Sequence, residues 1–162
     1  MVKNIWSEIG TAVLSIAICL VVGFLGSVFT MPSINTWYAA LNKPIFNPPN
    51  WIFGPVWTAL YILMGISVYL ILRKGLRNRR VILATSLFGL QLLLNLEWSF
   101  IFFGSHKLPL AFTEILFLWF AILLTIIYFY RLSKTAGWLL VPYLLWVSFA
   151  AVLNFVIWRL NP

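Results

Sequence analysis

The chain is a series of long apolar runs separated by short polar or proline-rich segments. A membrane-spanning α-helix needs about 20 mostly apolar residues, and none of the long runs alternates apolar and polar residues as a barrel strand does. The pattern therefore predicts an all-α fold, an integral membrane bundle of five transmembrane helices. The predicted spans are Ile9–Thr30, Ile52–Leu72, Val81–Phe103, Leu108–Tyr130 and Gly137–Trp158.

Composition supports this prediction and excludes a soluble protein. Of 162 residues, 63% are hydrophobic and 9% are charged, whereas soluble domains carry about 25% charged residues. The five spans use most of the chain, so we expect a single domain over residues 1–162 with no soluble module. The first run is too long for the apolar part of a signal peptide, and no cleavage site of small residues follows it, so we expect it to be retained.

The net charge of +8 points to membrane orientation and not to nucleic acid. Five basic residues cluster between the second and third spans, as is typical of a cytoplasmic loop. With that loop inside, eight basic residues lie inside and three lie outside. We therefore expect the N-terminus inside, the C-terminus outside and the long loop 31–51 outside. The inside set is Lys3, Arg73, Lys74, Arg77, Arg79, Arg80, Arg131 and Lys134, and the outside set is Lys43, Lys107 and Arg159.

The segment from Trp37 to Tyr61 is rich in proline and aromatic residues, unlike the short polar linkers usual between membrane helices. Each proline fixes its own φ and disfavours helix in the residue before it. Aromatic side chains offer large, flat surfaces at low entropic cost. The segment is therefore predicted to fold over a flat apolar ligand.

Polar residues inside the spans indicate where a site lies. Gln91, Asn95, Trp98 and Phe102 follow one another at steps of four, three and four, which places them on one helical stripe. Amide side chains in a membrane helix are expected to face a partner or a cavity. Glu97 lies off this stripe. It is interpreted either as a functional carboxylate or as a structural group at a helix contact.

The last span places Pro142, Trp146, Ala150 and Asn154 at strict four-residue spacing. Pro142 is expected to kink the helix. Counting the helical rise from the span ends brings Ala150 to a depth comparable with that of residues 57, 95 and 98, and places Trp146 nearer the midplane. A pocket beneath the long loop is the predicted result. The fourth span, with Glu114 in its first two turns, is expected at the periphery.

Small residues in the first span and the isolated reactive side chains have simpler interpretations. Cys19, Gly23 and Ser27 permit close helix approach, either within the chain or in a homodimer.

Among the reactive side chains, His106 is interpreted as a solvated loop residue. The three acids are too scattered for a general acid–base pair, and no metal-ligand spacing, phosphate loop or nucleophile–base pair is visible. We therefore predict no metal site and no resident cofactor.

Four ordered motifs resemble the translocator protein / tryptophan-rich sensory protein family, also known as TspO/MBR or peripheral benzodiazepine receptor-like proteins. They are W-Y-x-x-L-x-K-P-x-F-x-P-P at Trp37–Pro49, F-G-P-V-W-T-x-L-Y at Phe53–Tyr61, N-L-x-W-S-x-x-F-F at Asn95–Phe103 and P-Y-L-L-W-x-x-F-A-x-x-L-N at Pro142–Asn154. The resemblance implies a five-helix bundle, often homodimeric, that binds protoporphyrin IX, haem and benzodiazepine or isoquinoline-carboxamide ligands. The implied ligand-binding residues are Tyr38, Pro48, Trp57, Asn95, Trp98, Phe102, Trp146 and Ala150.

Three functions follow as alternatives. The first is a tetrapyrrole-binding membrane protein with a transport or sensing role, in the cytoplasmic membrane of a prokaryote. The second is a porphyrin-degrading enzyme that needs light and oxygen, because some bacterial members are similar in this activity. It would use Trp57 and Trp146 as catalytic residues. The third is a structural membrane partner without a saturable ligand.

Two positions depart from the family pattern. Phe155 stands where the sterol motif of animal members has a tyrosine, so sterol recognition is not expected. Glu97 stands where the family is expected to have a small or apolar residue.

The predicted orientation is testable with a reporter. A C-terminal fusion should be active only outside the cytoplasm and an N-terminal fusion only inside it, because basic residues are retained on the cytoplasmic side. Activity of the C-terminal fusion in the cytoplasm would contradict the assignment.

Overall fold

The computed structural model describes residues 5–162, so Lys3 of the basic inside set lies outside the described part. All the regular structure in this part is helical, and five helices are long and apolar enough to cross a membrane, as predicted. The helices are α1 (Ile5–Ile34), α2 (Trp37–Ala40), α3 (Asn50–Leu72), α4 (Arg79–Ser99, extended by a π-helical turn, Phe100–Gly104), α5 (Leu108–Leu132), α6 (Lys134–Leu139) and α7 (Val141–Leu160).

Most spans run a few residues past their predicted ends, and local chemistry sets the boundaries. Asn78 caps α4, because its side chain accepts a hydrogen bond from the backbone N–H of Arg80 at 2.9 Å. Helix α3 begins directly after Pro49, whose φ of −58° suits that boundary. The last span is interrupted at Leu140, between α6 and α7. Pro142 lacks the N–H that would continue the hydrogen-bond ladder at this place.

The first helix packs closely on α3 because glycines at the contact leave no side chain of their own between the two helices. A Cβ on Gly65 would lie 2.5 Å from the Cα of Ile16, and a Cβ on Gly23 would overlap the ring of Tyr61. Gly26 faces Ser99 of α4 in the same way. The small residues at positions 23 and 26 therefore serve contacts within the chain, the simpler of their two interpretations.

Helix α5 is not peripheral, contrary to the sequence-based expectation. It packs between α4 and α7, and one face of it is buried along its whole length, including Glu114. The expectation was wrong because the outward residues Phe117 and Phe120 are as apolar as the buried ones. In a lipid environment the outer face of a helix is also apolar, so hydropathy does not separate inside from outside.

The two ends of the bundle differ in character. The connection Arg73–Asn78 and the short turn at Ser133 form what is here called the basic end, with residues 73, 74, 77, 79, 80, 131 and 134. The opposite end, here the loop end, holds α2, the connection 41–49, the turn 105–107 and the C-terminus.

The Gly23 contact yields a stability prediction. We expect Gly23→Leu to lower the stability of the bundle by about 1–3 kcal/mol, because the new side chain must displace the Tyr61 ring. Thermal unfolding in detergent measures the effect. Gly10→Leu is the matched control, since a Cβ on Gly10 meets no heavy atom within 4 Å. Equal melting temperatures for the two variants would contradict the assigned contact.

Candidate ligand-binding cavity

A cavity of about 540 Å³ opens between the helices toward the loop end. Its size lies within the range of about 300–1,000 Å³ that is usual for small-molecule sites. Helices α1, α3, α4 and α7 form its walls, and Tyr38 of α2 closes one side. The wall residues are Leu20, Gly23, Phe24, Gly26, Ser27, Thr30, Met31, Ile34, Tyr38, Asn50, Phe53, Gly54, Trp57, Thr58, Tyr61, Trp98, Ser99, Phe102, Phe103, Trp146, Ala150, Leu153, Asn154 and Ile157.

Most of the predicted ligand-binding residues converge on this cavity. Six of the eight contribute to the wall, namely Tyr38, Trp57, Trp98, Phe102, Trp146 and Ala150. The other two, Pro48 and Asn95, do not. Pro48 lies in the loop between α2 and α3, and Asn95 is buried behind the wall.

Aromatic side chains form two paired surfaces in the wall. The rings of Trp57 and Tyr61 stack with centroids 5.7 Å apart, one turn from each other on α3. The rings of Trp98 and Phe102 stack at 5.0 Å on α4. Offset stacking of this kind stabilises the rings against each other. Each pair therefore presents a broad and rigid apolar face to the cavity.

The π-helical turn at Phe100–Gly104 brings two consecutive phenylalanines to the wall. The N–H of Ser105 donates to the carbonyl of Phe100 at 2.8 Å, five residues back. Phe102 and Phe103 both line the cavity, their centroids 4.8 Å apart. Such turns are rare and occur frequently at functional sites. The sequence reasoning missed Phe103, because α-helical periodicity points neighbouring residues in different directions.

Asn95 fixes the wall from behind. The hydroxyl of Tyr61 donates to Oδ1 of Asn95, and Nδ2 of Asn95 donates to the hydroxyl of Tyr143 at 3.0 Å. All three side chains are buried. The amide predicted to face a partner or a cavity thus has protein partners on two other helices, α3 and α7. Its effect on the cavity passes through the Tyr61 ring.

The four tryptophans inside the spans fall into two classes, according to whether the indole N–H group has a hydrogen-bond partner. Trp98 donates to Oδ1 of Asn154 at 3.2 Å, and Trp119 donates to Oγ of Ser148 at 2.8 Å. Within residues 5–162, the indoles of Trp57 and Trp146 have no such partner, although both line the cavity. An indole N–H in an apolar setting favours a hydrogen-bond acceptor. These two side chains therefore border the cavity with an N–H group that no acceptor of the described chain satisfies.

The loop beside the cavity is held by its own polar groups. The hydroxyl of Tyr38 donates to Oδ1 of Asn47 at 2.6 Å, and Nζ of Lys43 donates to the carbonyl of Tyr38 at 2.7 Å. Burial raises the pKa of Tyr38 to about 12, although the Asn47 hydrogen bond opposes this shift. The phenol therefore remains a neutral donor at physiological pH.

A second attachment joins the same loop to the C-terminus. The backbone N–H of Asn42 donates to Oδ1 of Asn161 at 3.0 Å, and Nδ2 of Asn161 donates back to the carbonyl of Asn42 at 2.9 Å. By contrast, Ile45 and Phe46 at the middle of the loop are exposed. The loop is thus fixed at both ends, with its apolar tip outward.

His106 does not line the cavity. It is exposed, as expected for a loop residue, but its ring stacks on Trp37 with centroids 4.1 Å apart. Its φ of 55° lies in the left-handed region, and its Nε2 is 3.4 Å from Oγ of Ser33. The side chain therefore joins α2 to the turn between α4 and α5.

The two intramembrane acids also lie away from the wall. Glu97 is on the exposed face of α4. Glu114 of α5 is buried, and both of its carboxyl oxygens lack a hydrogen-bond partner within the described chain, as does Oε1 of Gln91. Glu97 is close enough to Glu114 to interact with it electrostatically. From the sequence, Glu97 is the intramembrane acid considered for a function. In the structure, Glu114 is the buried acid and Glu97 is exposed.

Comparison with known proteins identifies the family. Residues 15–159 match the TspO/MBR family. The chain is 48% identical to the "Tryptophan-rich protein TspO" of Chlorobaculum tepidum, over 96% of this chain and 98% of that protein. It is 38% identical to the "Translocator protein" of Homo sapiens, over 85% and 82% of the two chains. It is 36% identical to the "Tryptophan-rich sensory protein" of Cereibacter sphaeroides, over 77% of each.

These matches cover the helices that build the cavity. The four motifs lie within residues 15–159, which match the family, and this range includes most of each of the five spans. The chain belongs to the TspO/MBR family of integral membrane proteins.

Proposed function

We propose that the chain binds a flat, apolar tetrapyrrole, protoporphyrin IX or haem, within the membrane and serves its transport or sensing. The observation that carries this proposal is the aromatic cavity of about 540 Å³ between α1, α3, α4 and α7. Relatives named as a translocator and as a sensory protein are consistent with such a role. Compact aromatic ligands of the benzodiazepine and isoquinoline type would occupy the same space.

The wall chemistry suits a disc-shaped ligand with polar edges. The Trp57–Tyr61 and Trp98–Phe102 pairs offer the flat surfaces. The indole N–H groups of Trp57 and Trp146 would donate to acceptors on the ligand. Carboxylate substituents of a porphyrin would point to the loop end, where Asn50 contributes a polar group to the wall.

The small residues in the cavity wall are as important to the proposed site as the large ones, because they leave space for a ligand. Ala150 leaves room in front of Trp146, one turn away on α7, and Gly54 leaves room beside Trp57 on α3. A larger side chain at either position would occupy ligand volume directly. Affinity is therefore expected to depend on these positions more than on any charged group.

The setting of this site is part of the same proposal. We place the chain in the cytoplasmic membrane of a prokaryote, with the N-terminus inside and the loop end outside. We also propose that the whole chain forms a single domain. A homodimer formed through exposed apolar helix faces remains a prediction, because the small residues Gly23 and Gly26 already face contacts within the chain.

A second candidate function uses the same cavity. Trp57 and Trp146 both border it, and their N–H groups have no partner among residues 5–162. An indole can donate an electron to a photoexcited porphyrin, and oxygen would serve as the oxidant that consumes the ring. The chain would then degrade porphyrin under light, with these two tryptophans as catalytic residues.

Filling the cavity tests the binding site. We expect Ala150→Phe to weaken protoporphyrin IX binding at least tenfold, about 1.4 kcal/mol, because the added ring occupies the space in front of Trp146. Quenching of tryptophan fluorescence during a porphyrin titration measures the affinity. Val152→Phe is the matched control, since Val152 lies on the same helix and faces outward.

The two variants separate a specific site from general partition into the apolar protein surface. Val152→Phe should bind like the unmodified chain. Unchanged affinity in Ala150→Phe would place the ligand elsewhere, and non-saturable quenching in the unmodified chain would favour a structural role without a ligand.

Removing the indoles separates binding from chemistry. We expect Trp57→Phe and Trp146→Phe to keep most of the affinity, because phenylalanine retains a flat apolar surface. Both should lose most of the light-driven porphyrin turnover, followed by absorbance under oxygen. Trp138→Phe, at an exposed position, is the control and should keep it. If both cavity variants turn over porphyrin at the unmodified rate, the tryptophans have no catalytic role.

A further inference from the structure

A second cleft, of about 280 Å³, lies at the basic end of the bundle, and none of its residues lines the aromatic cavity. It lies between the first turn of α4 and the last two turns of α5. Its walls are Arg80, Tyr128, Arg131 and Leu132. Two of these residues carry guanidinium groups, and the other two form a largely apolar floor. The cleft is called the basic cleft below.

In the part of the chain that the structure describes, no carboxylate neutralises the charge in the basic cleft. The chain contains three acidic residues. Glu8 is bonded to Arg73 at 3.3 Å, and Glu97 and Glu114 lie near the other ends of α4 and α5. Within residues 5–162, neither Arg80 nor Arg131 therefore has a carboxylate partner. Two guanidinium groups that line one cleft without a carboxylate partner favour an anion in it.

The local structure adds to this preference. Arg80 lies in the first turn of α4, where the helix dipole is positive. The guanidinium of Arg131 lies 6.0 Å from the ring centroid of Tyr128, which restricts its position. Planar guanidinium groups match the geometry of phosphate oxygens better than ammonium groups do. A phosphate group is the anion that this arrangement fits.

The position in the bundle distinguishes a lipid from a free ion. The cleft lies where the apolar spans α4 and α5 meet the polar surface, with its arginines exposed and Tyr128 and Leu132 half-buried. We propose that the basic cleft binds the phosphate of an anionic phospholipid, whose acyl chains run along the apolar surface beside Leu132. Basic pockets between helices at a membrane surface are suited to such headgroups. This proposal is independent of the proposed tetrapyrrole site.

Native mass spectrometry of the protein released from detergent micelles tests the proposal. Phosphatidylglycerol is the probe, and phosphatidylcholine is the neutral comparison. The unmodified chain should retain one phosphatidylglycerol in preference to phosphatidylcholine. The double variant Arg80→Gln with Arg131→Gln should weaken this retention about tenfold or more, because two charges near the headgroup are lost.

A control variant removes the same charge elsewhere at the same end. Lys74→Gln with Arg77→Gln changes two exposed residues that do not line the cleft, and it should keep the preferred lipid. Equal losses in the two double variants would overturn the site in favour of diffuse surface charge. All four positions are exposed, so the fold should survive, and unchanged melting temperatures will verify this.

Two further measurements identify the chemistry. The double variant Arg80→Lys with Arg131→Lys keeps the charge but replaces the planar guanidinium groups with ammonium groups. It should retain phosphatidylglycerol several-fold less well than the unmodified chain. Full retention in that variant would overturn the guanidinium–phosphate assignment. Inorganic phosphate, added at millimolar concentration, should not displace the lipid, because the apolar floor contributes to binding. Complete displacement by phosphate alone would show a free-anion site and overturn the lipid assignment.

Discussion

The arrangement of this bundle depends on one constraint, which is that polar groups inside hydrocarbon need protein partners. Tyr61, Asn95 and Tyr143 satisfy it by bonding to one another across α3, α4 and α7. A buried polar group that loses its partner costs roughly 1–3 kcal/mol. The bonds therefore fix three helices relative to each other at the depth where the cavity begins, and the Tyr61 ring that forms its floor is held by them.

The same constraint sorts the tryptophans by function. Trp98 and Trp119 have their indole N–H groups bonded to side chains of α7, so they hold helices together. Trp57 and Trp146 border the cavity, and their indole N–H groups have no acceptor within residues 5–162. Residues of one type thus either join helices or line the cavity, according to the partner that the fold provides.

The two ends of the bundle present opposite chemistry to the membrane. At the loop end an aromatic cavity, the site proposed for a flat apolar molecule, lies beneath a loop fixed by Tyr38, Asn47 and Asn161. At the basic end, two arginines that have no carboxylate partner within residues 5–162 border an apolar floor, the site proposed for a phosphate group. The two clefts share no lining residue, so a variant in one leaves the wall of the other unchanged.

The sequence by itself determined the helix count, the approximate spans and six of the residues that line the cavity. Hydropathy and helical periodicity are local properties, and the family motifs marked Trp57, Trp98, Trp146 and Ala150. The tertiary structure decided what depends on neighbours. It placed Asn95 behind Tyr61, buried Glu114 while leaving Glu97 exposed, and brought Phe103 to the wall through a π-helical turn. In a membrane both faces of a helix are apolar, so only packing decides which polar group is enclosed and which side chain meets the ligand.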